Sequence, residues 1–125
     1  MPGPARAGGF IYAKELERVA AFYQALLSMR RLHSDEDHCV LESSDIQLVM
    51  HAIPAAITNT FSISSPPALR EDTALKFFFT VADLSRAGEV ATQHGGGTLL
   101  QIWSGPGFKA CNGFDCAGNI FQLRE

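Results

Sequence analysis

Five side chains that could bind or transform a small molecule lie within short apolar runs of this 125-residue sequence. They are Tyr12, Gln47, His51, Lys76 and Gln122. An imidazole acts as an acid or a base near neutral pH, and amides and phenols both donate and accept hydrogen bonds. Lys76 is suited to pairing with a ligand carboxylate, and a partly desolvated lysine also acts as a base or a nucleophile toward a carbonyl. These residue types predict binding of a small, partly apolar molecule that carries an acceptor or an anionic group.

The polar residues of this set also have purely structural interpretations. Lys76 would reach solvent at a sheet edge with its stem buried, and His51 would end a solvated strand. Gln47 and Gln122 would satisfy each other's amides. The sequence leaves both kinds of interpretation open.

Two further histidines flank an acidic run. His33 and His38 lie on either side of Asp35-Glu36-Asp37. Charged residues between two short apolar runs are typical of a solvated hairpin tip, and this is the favoured interpretation. Adventitious metal binding by these imidazoles and carboxylates is the alternative.

Composition and charge exclude several classes of protein. The formal net charge is -3, so the chain offers no basic surface for a phosphate backbone, and nucleic-acid binding is not expected. No stretch approaches the roughly 20 apolar residues of a membrane helix, so no membrane association is expected. The sequence also has no Ser/His/Asp spacing, phosphate-binding loop or dinucleotide fingerprint.

The three cysteines are Cys39, Cys111 and Cys116. An odd number without a secretory segment predicts free thiols and a cytoplasmic protein.

The apolar pattern predicts an α+β chain made of two copies of one βαβββ unit. In the first copy, a strand at 10–13 precedes a helix whose apolar face comprises Leu16, Val19, Ala20, Tyr23 and Leu27. Strands at 31–34, 38–42 and 46–53 follow. In the second copy, a strand at 75–81 precedes a helix that Asp83 caps and three glycines end, followed by strands at 98–103, 108–115 and 120–124.

The two copies can be aligned with each other. A shift of 68 residues places Phe10 on Phe78 and Glu15 on Asp83, and a shift of 75 places Gln47 on Gln122. We predict one domain, 1–125, with module one at 8–53, a connector at 54–73 and module two at 74–125. The connector is rich in proline and serine, which disfavours both a helix and a central strand. Because one such sheet cannot cover its own apolar face, a second copy is needed to build a core or to enclose a cavity.

Two segments resemble the vicinal oxygen chelate superfamily, which contains glyoxalases, bleomycin-resistance proteins and dioxygenases. Glu15-Leu16-Glu17-Arg18-Val19-Ala20-Ala21-Phe22-Tyr23 is similar to the first helix of that superfamily. Phe114-Asp115-Cys116-Ala117-Gly118-Asn119-Ile120-Phe121-Gln122-Leu123 is similar to its closing hairpin, usually Asp-Pro-x-Gly-Asn followed by an apolar residue and Glu-Leu. The resemblance implies curved mixed sheets around a cavity between the modules, commonly in a homodimer.

The resemblance also implies where a metal would be held, but the residues at those places are unsuitable. Metalloenzymes of the superfamily use four strand positions, which correspond here to Gly8, Gln47, Lys76 and Gln122. Glycine has no side chain, an ammonium group has no acceptor, and amide oxygens are weak ligands beside a positive charge. No metal or other cofactor is therefore predicted, and a divalent metal at ligands outside this set is the alternative.

Alternation along strands divides the residues of the first module between two faces. If Gln47 faces the cavity, then Val49 and His51 face it too, whereas Leu48 and Met50 face the helix. On the first strand, Tyr12 shares the side of Gly8 and Phe10.

The same division applies to the second module. Lys76 shares a face with Phe78, leaving Phe77 and Phe79 for the core, and Trp103 is a plausible aromatic wall. For Phe10 and Phe78 themselves, core packing is favoured over a place in the cavity wall. Phe78 is nevertheless kept among the cavity residues predicted to bind ligand, which are Tyr12, Gln47, His51, Lys76, Phe78, Trp103 and Gln122.

Three functions fit this pattern. The preferred hypothesis is a metal-free, dimeric protein that binds a small molecule in the cavity between the modules. The alternative is a lyase, isomerase or dioxygenase-like enzyme of the same superfamily, either metal-dependent or working through Lys76 or His51. A third hypothesis is a domain that acts through its surface on another protein. The sequence does not decide whether the chain is an enzyme.

Overall fold

The computed structural model describes residues 4–125, and these form two compact units. The first unit ends at Ser62, and the second runs from Ile63 to Glu125. Each unit contains a strand, a helix and three further strands in that order, so the predicted βαβββ repeat is confirmed. Within residues 4–125, no helix combines the length and the apolar character needed to cross a bilayer.

The first unit is a four-stranded mixed sheet with one helix. Its elements are β1 (Gly8–Ala13), α1 (Leu16–Leu27), β2 (Arg30–Ser34), β3 (His38–Glu42) and β4 (Gln47–Ala52). The strand order is β1-β4-β3-β2, with β1 parallel to β4 and the other neighbours antiparallel. A one-turn helix, α2 (Ala55–Thr58), follows Pro54, so the prediction of a connector without helix is wrong for this turn. Proline is tolerated at a helix start because its fixed φ suits that position and its missing N–H is not needed there.

The core of the first unit lies between α1 and one face of the sheet. Alternate residues of β3 and β4 are buried, among them Leu41, Leu48 and Met50. They pack with the buried face of α1, which comprises Val19, Ala20, Phe22, Tyr23 and Leu26. The helical spacing of apolar residues in the sequence therefore identified the right helix face.

The second unit repeats this arrangement. Its elements are β5 (Phe78–Thr80), α3 (Leu84–Gln93), β6 (Gly97–Gly105), β7 (Phe108–Phe114) and β8 (Ile120–Arg124), and the strand order is β5-β8-β7-β6. The Asp83 carboxylate accepts hydrogen bonds from the backbone N–H groups of Ser85 and Arg86, which confirms the predicted cap of α3. Phe121 and Leu123 of β8 are fully buried.

The hairpin between β7 and β8 is tied together by a buried carboxylate. Asp115 Oδ1 accepts hydrogen bonds from the backbone N–H groups of Ala117 at 2.8 Å and Asn119 at 3.0 Å. Asp115 Oδ2 accepts a third from Asn119 Nδ2 at 2.9 Å. Gly118 has a φ of +88°, and a Cβ atom there would overlap the backbone oxygen of Ala68. The Asp-x-x-Gly-Asn part of the hairpin motif therefore serves the geometry of this turn.

Two details of the second unit differ from the sequence prediction. Phe77 lies outside the short strand β5 and is 39% exposed, so the prediction that it belongs to the core is wrong. Its backbone oxygen still accepts the Gln122 N–H, but Phe77 lies one residue before the start of β5. The alignment of the last strands is also wrong by two residues. With Phe10 aligned on Phe78, the parallel ladders pair Phe10 with Val49 and Phe78 with Gln122. Ile120, two residues before Gln122, is therefore the counterpart of Gln47.

Candidate functional site

Each sheet has an open face, which is the face opposite its helix. Both open faces carry exposed aromatic side chains. On the first sheet, Phe10 is 63% exposed and Tyr12 is 65% exposed, so the favoured assignment of Phe10 to the core is wrong. Gln47, Val49 and His51 of β4 alternate with buried residues and occupy the same face. The alternation predicted for this strand is confirmed.

Three rings form a row across the open face of the first sheet. The ring centroids of Tyr12 and His51 are 5.8 Å apart, and those of His51 and His38 are 4.4 Å apart in a T-shaped arrangement. His51 Nδ1 lies 3.0 Å from the backbone oxygen of Ala52. Because a carbonyl oxygen only accepts, Nδ1 carries the proton, and the Nε2 atom of the neutral ring is left as an acceptor. This geometry suits hydrogen bonding to a ligand and also suits a general base.

The acidic run forms a hairpin tip, as predicted. Asp35 Oδ2 lies 2.8 Å from His33 Nε2, and Asp35 Oδ1 accepts hydrogen bonds from the backbone N–H groups of Asp37 and His38. The hydrogen bond from His33 and these two backbone hydrogen bonds hold the pKa of Asp35 well below its ordinary value. The carboxylate therefore organises the turn.

The open face of the second sheet combines aromatic rings with amides. Phe78 is 56% exposed, so its favoured assignment to the core is also wrong. Phe78, Gln122 and Asn112 are neighbours in one row across β5, β8 and β7. The side-chain oxygen of Asn112 is buried and has no hydrogen-bond partner among the described residues.

A cavity of about 250 Å³ lies beside this row. Its lining comprises Arg70, Glu71, Thr73, Lys76, Leu99, Asn112 and Ile120. Lys76 precedes β5 by two residues and is exposed, and the parallel ladder pairs Phe78, not Lys76, with Gln122. Lys76 and Asn112 therefore line the same cavity. Lys76 lies on the side of the Phe78, Gln122 and Asn112 row that is nearer the hairpin between β7 and β8.

Arg124 is the most constrained cation of the open face. Its Nε atom donates to Gln122 Oε1 at 2.8 Å. The central guanidinium carbon lies 3.9 Å from the ring centroid of Phe78 and 4.3 Å from that of Phe108. Both distances are well inside the range of a cation–π interaction. The amide oxygen of Gln122 is therefore engaged by Arg124.

Trp103 lies on the same row as Arg124. The ladder pairs Trp103 with Ala110 and Ala110 with Arg124. The indole is 40% exposed, whereas the small side chain of Ala110 is buried. The Trp103 indole and the Arg124 guanidinium therefore lie two strands apart on one face, with the small residue Ala110 of β7 between them.

Comparison with protein-family models and with curated proteins found no match. Comparison with solved structures found many. A glyoxalase/bleomycin resistance protein/dioxygenase family enzyme from Burkholderia phytofirmans PsJN matches with a TM-score of 0.67 at 16% identity, over 97% of this chain and 98% of that one. The fosfomycin resistance protein FosX from Mesorhizobium loti matches with a TM-score of 0.65 at 15% identity, over 99% and 92%. The chain has the vicinal oxygen chelate fold. At these identities the likeness establishes the fold and leaves the activity to the site.

The four positions to which the family resemblance assigns metal ligands carry side chains that are poor ligands for a divalent cation. Gly8 pairs with Gln47 and offers no side chain. Gln122 Oε1 already accepts a hydrogen bond from Arg124, whose positive charge would repel a divalent cation. Lys76 adds a second cation. Among residues 4–125, no group of three or more His, Cys, Asp or Glu side chains is placed to hold a metal.

Sequence reasoning missed four residues of these faces. His38 was placed only at the hairpin, whereas Phe108, Asn112 and Arg124 were given no role. Alternation gives their face, but only the cross-strand register brings Phe108, Arg124 and Phe78 together.

Proposed function

We propose that the chain is a metal-independent binding protein for a small, partly apolar molecule. The observation that carries this proposal is the composition of the two open faces, where exposed aromatic rings stand beside fixed polar groups. Tyr12, Gln47 and His51 supply these groups on the first sheet. Lys76, Phe78, Trp103 and Gln122 supply them on the second. Apolar walls with a few placed polar groups are typical of small-molecule sites.

The unsuitability of the four family positions for a metal supports the same proposal. A protein that activates its substrate through a metal needs acceptor side chains there, and this chain has a glycine, two amides and a lysine. The solved structures with this fold include a protein described as a fosfomycin resistance protein. A shared fold does not fix the activity, so binding without a metal is compatible with this fold.

An enzyme is the second candidate, and His51 is the observation that favours it. The carbonyl oxygen of Ala52 holds the Nδ1 proton, so Nε2 is available as a base on an exposed face that also carries Tyr12. A lyase or isomerase would use this atom to take a proton from its substrate.

A thermal-shift screen tests binding. The protein, treated with EDTA, is heated with a panel of small aromatic and aliphatic acids, amides and alcohols. A ligand at 100 times its Kd stabilises the folded state by about 2.7 kcal/mol, which appears as a rise of several degrees in Tm. We expect at least one such rise in the wild type, and we expect the Phe78→Ala variant to lose it. Ile57→Ala removes an equally exposed apolar side chain from α2 and should keep it.

The outcomes of this screen separate the candidates. A rise that appears only after Zn²⁺ or Mn²⁺ is added would contradict a metal-independent site. A ligand recovered in chemically altered form, with the alteration abolished by His51→Gln, would replace the binding protein by the enzyme. The absence of any rise across the panel would reject ligand binding.

We further propose a cytoplasmic homodimer, supported by the buried, free thiols of Cys39 and Cys111 and by the edge strand β6. On β6, Leu100 is 98% exposed and Ile102 is 60% exposed, and an apolar edge of this kind pairs readily with another chain. Sedimentation equilibrium should give twice the chain mass. Leu100→Lys should shift the protein to monomer, whereas Ile57→Lys should not. A monomeric wild type at micromolar concentration would contradict the dimer.

A further inference from the structure

We propose that Arg124 binds a carboxylate of the ligand, and that the ligand is a small aromatic carboxylic acid. This inference rests on the proposed function and names the chemical class of the molecule bound. It is carried by the hydrogen bonds, ring contacts and register of Arg124, all within the second unit.

The guanidinium has donors to spare. Its Nε atom is used by Gln122, but within residues 4–125 neither terminal nitrogen has a hydrogen-bond acceptor and no carboxylate pairs with the group. Two other arginines, by contrast, are paired with carboxylates: Arg31 binds Glu17 at 2.8 Å and Arg86 binds Glu89 at 3.0 Å. A guanidinium with two free terminal nitrogens presents a planar fork that matches the two oxygens of a carboxylate.

The fork is also held in place before any ligand arrives. Contacts with Phe78 and Phe108 and the bond to Gln122 restrict the long side chain, so less conformational entropy is lost when a ligand binds. Gly105 contributes to this restriction. A Cβ atom at Gly105 would overlap the Phe108 ring, so the absence of a side chain there allows the ring to occupy its place beside Arg124.

The side chains around the Arg124 guanidinium favour a ligand with a flat apolar ring. Phe78 contacts the guanidinium and is still more than half exposed, and Trp103 lies two strands away on the same face with much of its indole uncovered. An aromatic ring that joins a carboxylate can stack on these side chains while its anion meets the fork. One guanidinium charge neutralises one carboxylate charge, so a monocarboxylate is the expected form.

Calorimetric titration with a matched pair of probes tests this inference. The probes are 2-naphthoate and 2-naphthamide, which have nearly the same shape and differ in charge. In the wild type the acid should bind at least ~10-fold more tightly than the amide, because hydrogen bonds to a charged group are the stronger kind. In Arg124→Gln this preference should fall to about onefold. Arg124→Lys should retain part of it, because lysine keeps the charge and loses the fork.

The control is Arg86→Gln, which removes the same charge from the exposed surface of α3 and should leave the preference unchanged. A merely structural role of Arg124 would lower Tm in Arg124→Gln without changing the ratio of the two affinities, and that result would overturn the inference. Equal binding of acid and amide by the wild type would overturn it too, while leaving the proposed binding function intact. If neither probe binds and the broader screen is also negative, the proposed function fails with it.

Discussion

The Gly118→Ala variant is expected to lose about 3–4 kcal/mol of its free energy of unfolding. The loss has two causes that act at the same atom. A φ of +88° is unfavourable for any residue with a Cβ, which costs about 1–2 kcal/mol. The new Cβ would in addition overlap the backbone oxygen of Ala68, and the closing hairpin must move away from the segment that precedes β5. This segment is otherwise held by the hydrogen bond from the Arg70 N–H to the Gly118 oxygen at 2.9 Å.

Urea denaturation of Gly107→Ala provides the matched control. Gly107 has a φ of +81° and no atom within 4 Å of the position that a Cβ would take. Its substitution should therefore cost only the conformational part, about 1–2 kcal/mol. Equal losses in the two variants would show that the approach of Ala68 to Gly118 does not exist in solution.

Asp115→Ala is expected to destabilise the chain by about 3–5 kcal/mol. The Asp115 carboxylate is fully buried and accepts hydrogen bonds from two backbone N–H groups and from the amide of Asn119. Alanine would leave these donors buried without an acceptor, and each such group costs about 1–3 kcal/mol. Asp115→Asn should be milder, since an amide oxygen can still accept from the turn.

Asp83→Ala is the control for this second prediction. Asp83 also accepts from two backbone N–H groups, but it lies exposed at the start of α3, where water can replace it. Its loss should cost about 1 kcal/mol. A similar midpoint in urea for Asp83→Ala and Asp115→Ala would mean that the hairpin is open to solvent and that the buried carboxylate is not what closes it.

The fold could be predicted because its signals are local. The apolar spacing of α1, the cap at Asp83 and the alternation along β4 each depend on residues a few positions apart, and they agree with one another. The Asp-x-x-Gly-Asn turn is likewise a local motif, and it lies where the resemblance placed it. Two copies of these signals in the same order were enough to identify the repeat.

What the sequence could not provide is the register between strands. Whether Gln122 is opposite Lys76 or Phe78 depends on the length of the Gly118 hairpin and on where β5 begins, and neither leaves a periodic signal. Phe77 was misplaced for this reason, because alternation was extended beyond the end of the sheet. Because side chains alternate along a strand, an error of two residues in the alignment of Gln122 left each residue on the correct face of the sheet. It assigned the wrong partner on the neighbouring strand.

The same limitation explains why Arg124 was not among the predicted ligand residues. An arginine on a short strand is ordinarily a solvated charge, and nothing in its immediate sequence indicates otherwise. Its partners come from three different strands: Phe78 from β5, Phe108 from β7 and Gln122 from β8. Only their position in the sheet shows that the cation is fixed.

The most direct test of the central claim is a ¹H–¹⁵N NMR titration of EDTA-treated protein with the tightest binder from the panel. Metal-independent binding on the open faces predicts that the amide shift changes concentrate on the open-face strands, around Phe78, Gln122 and Arg124, and that added Zn²⁺ or Mn²⁺ leaves the affinity unchanged. Shift changes confined to α1 and α3, or binding that begins only when metal is supplied, would contradict the account.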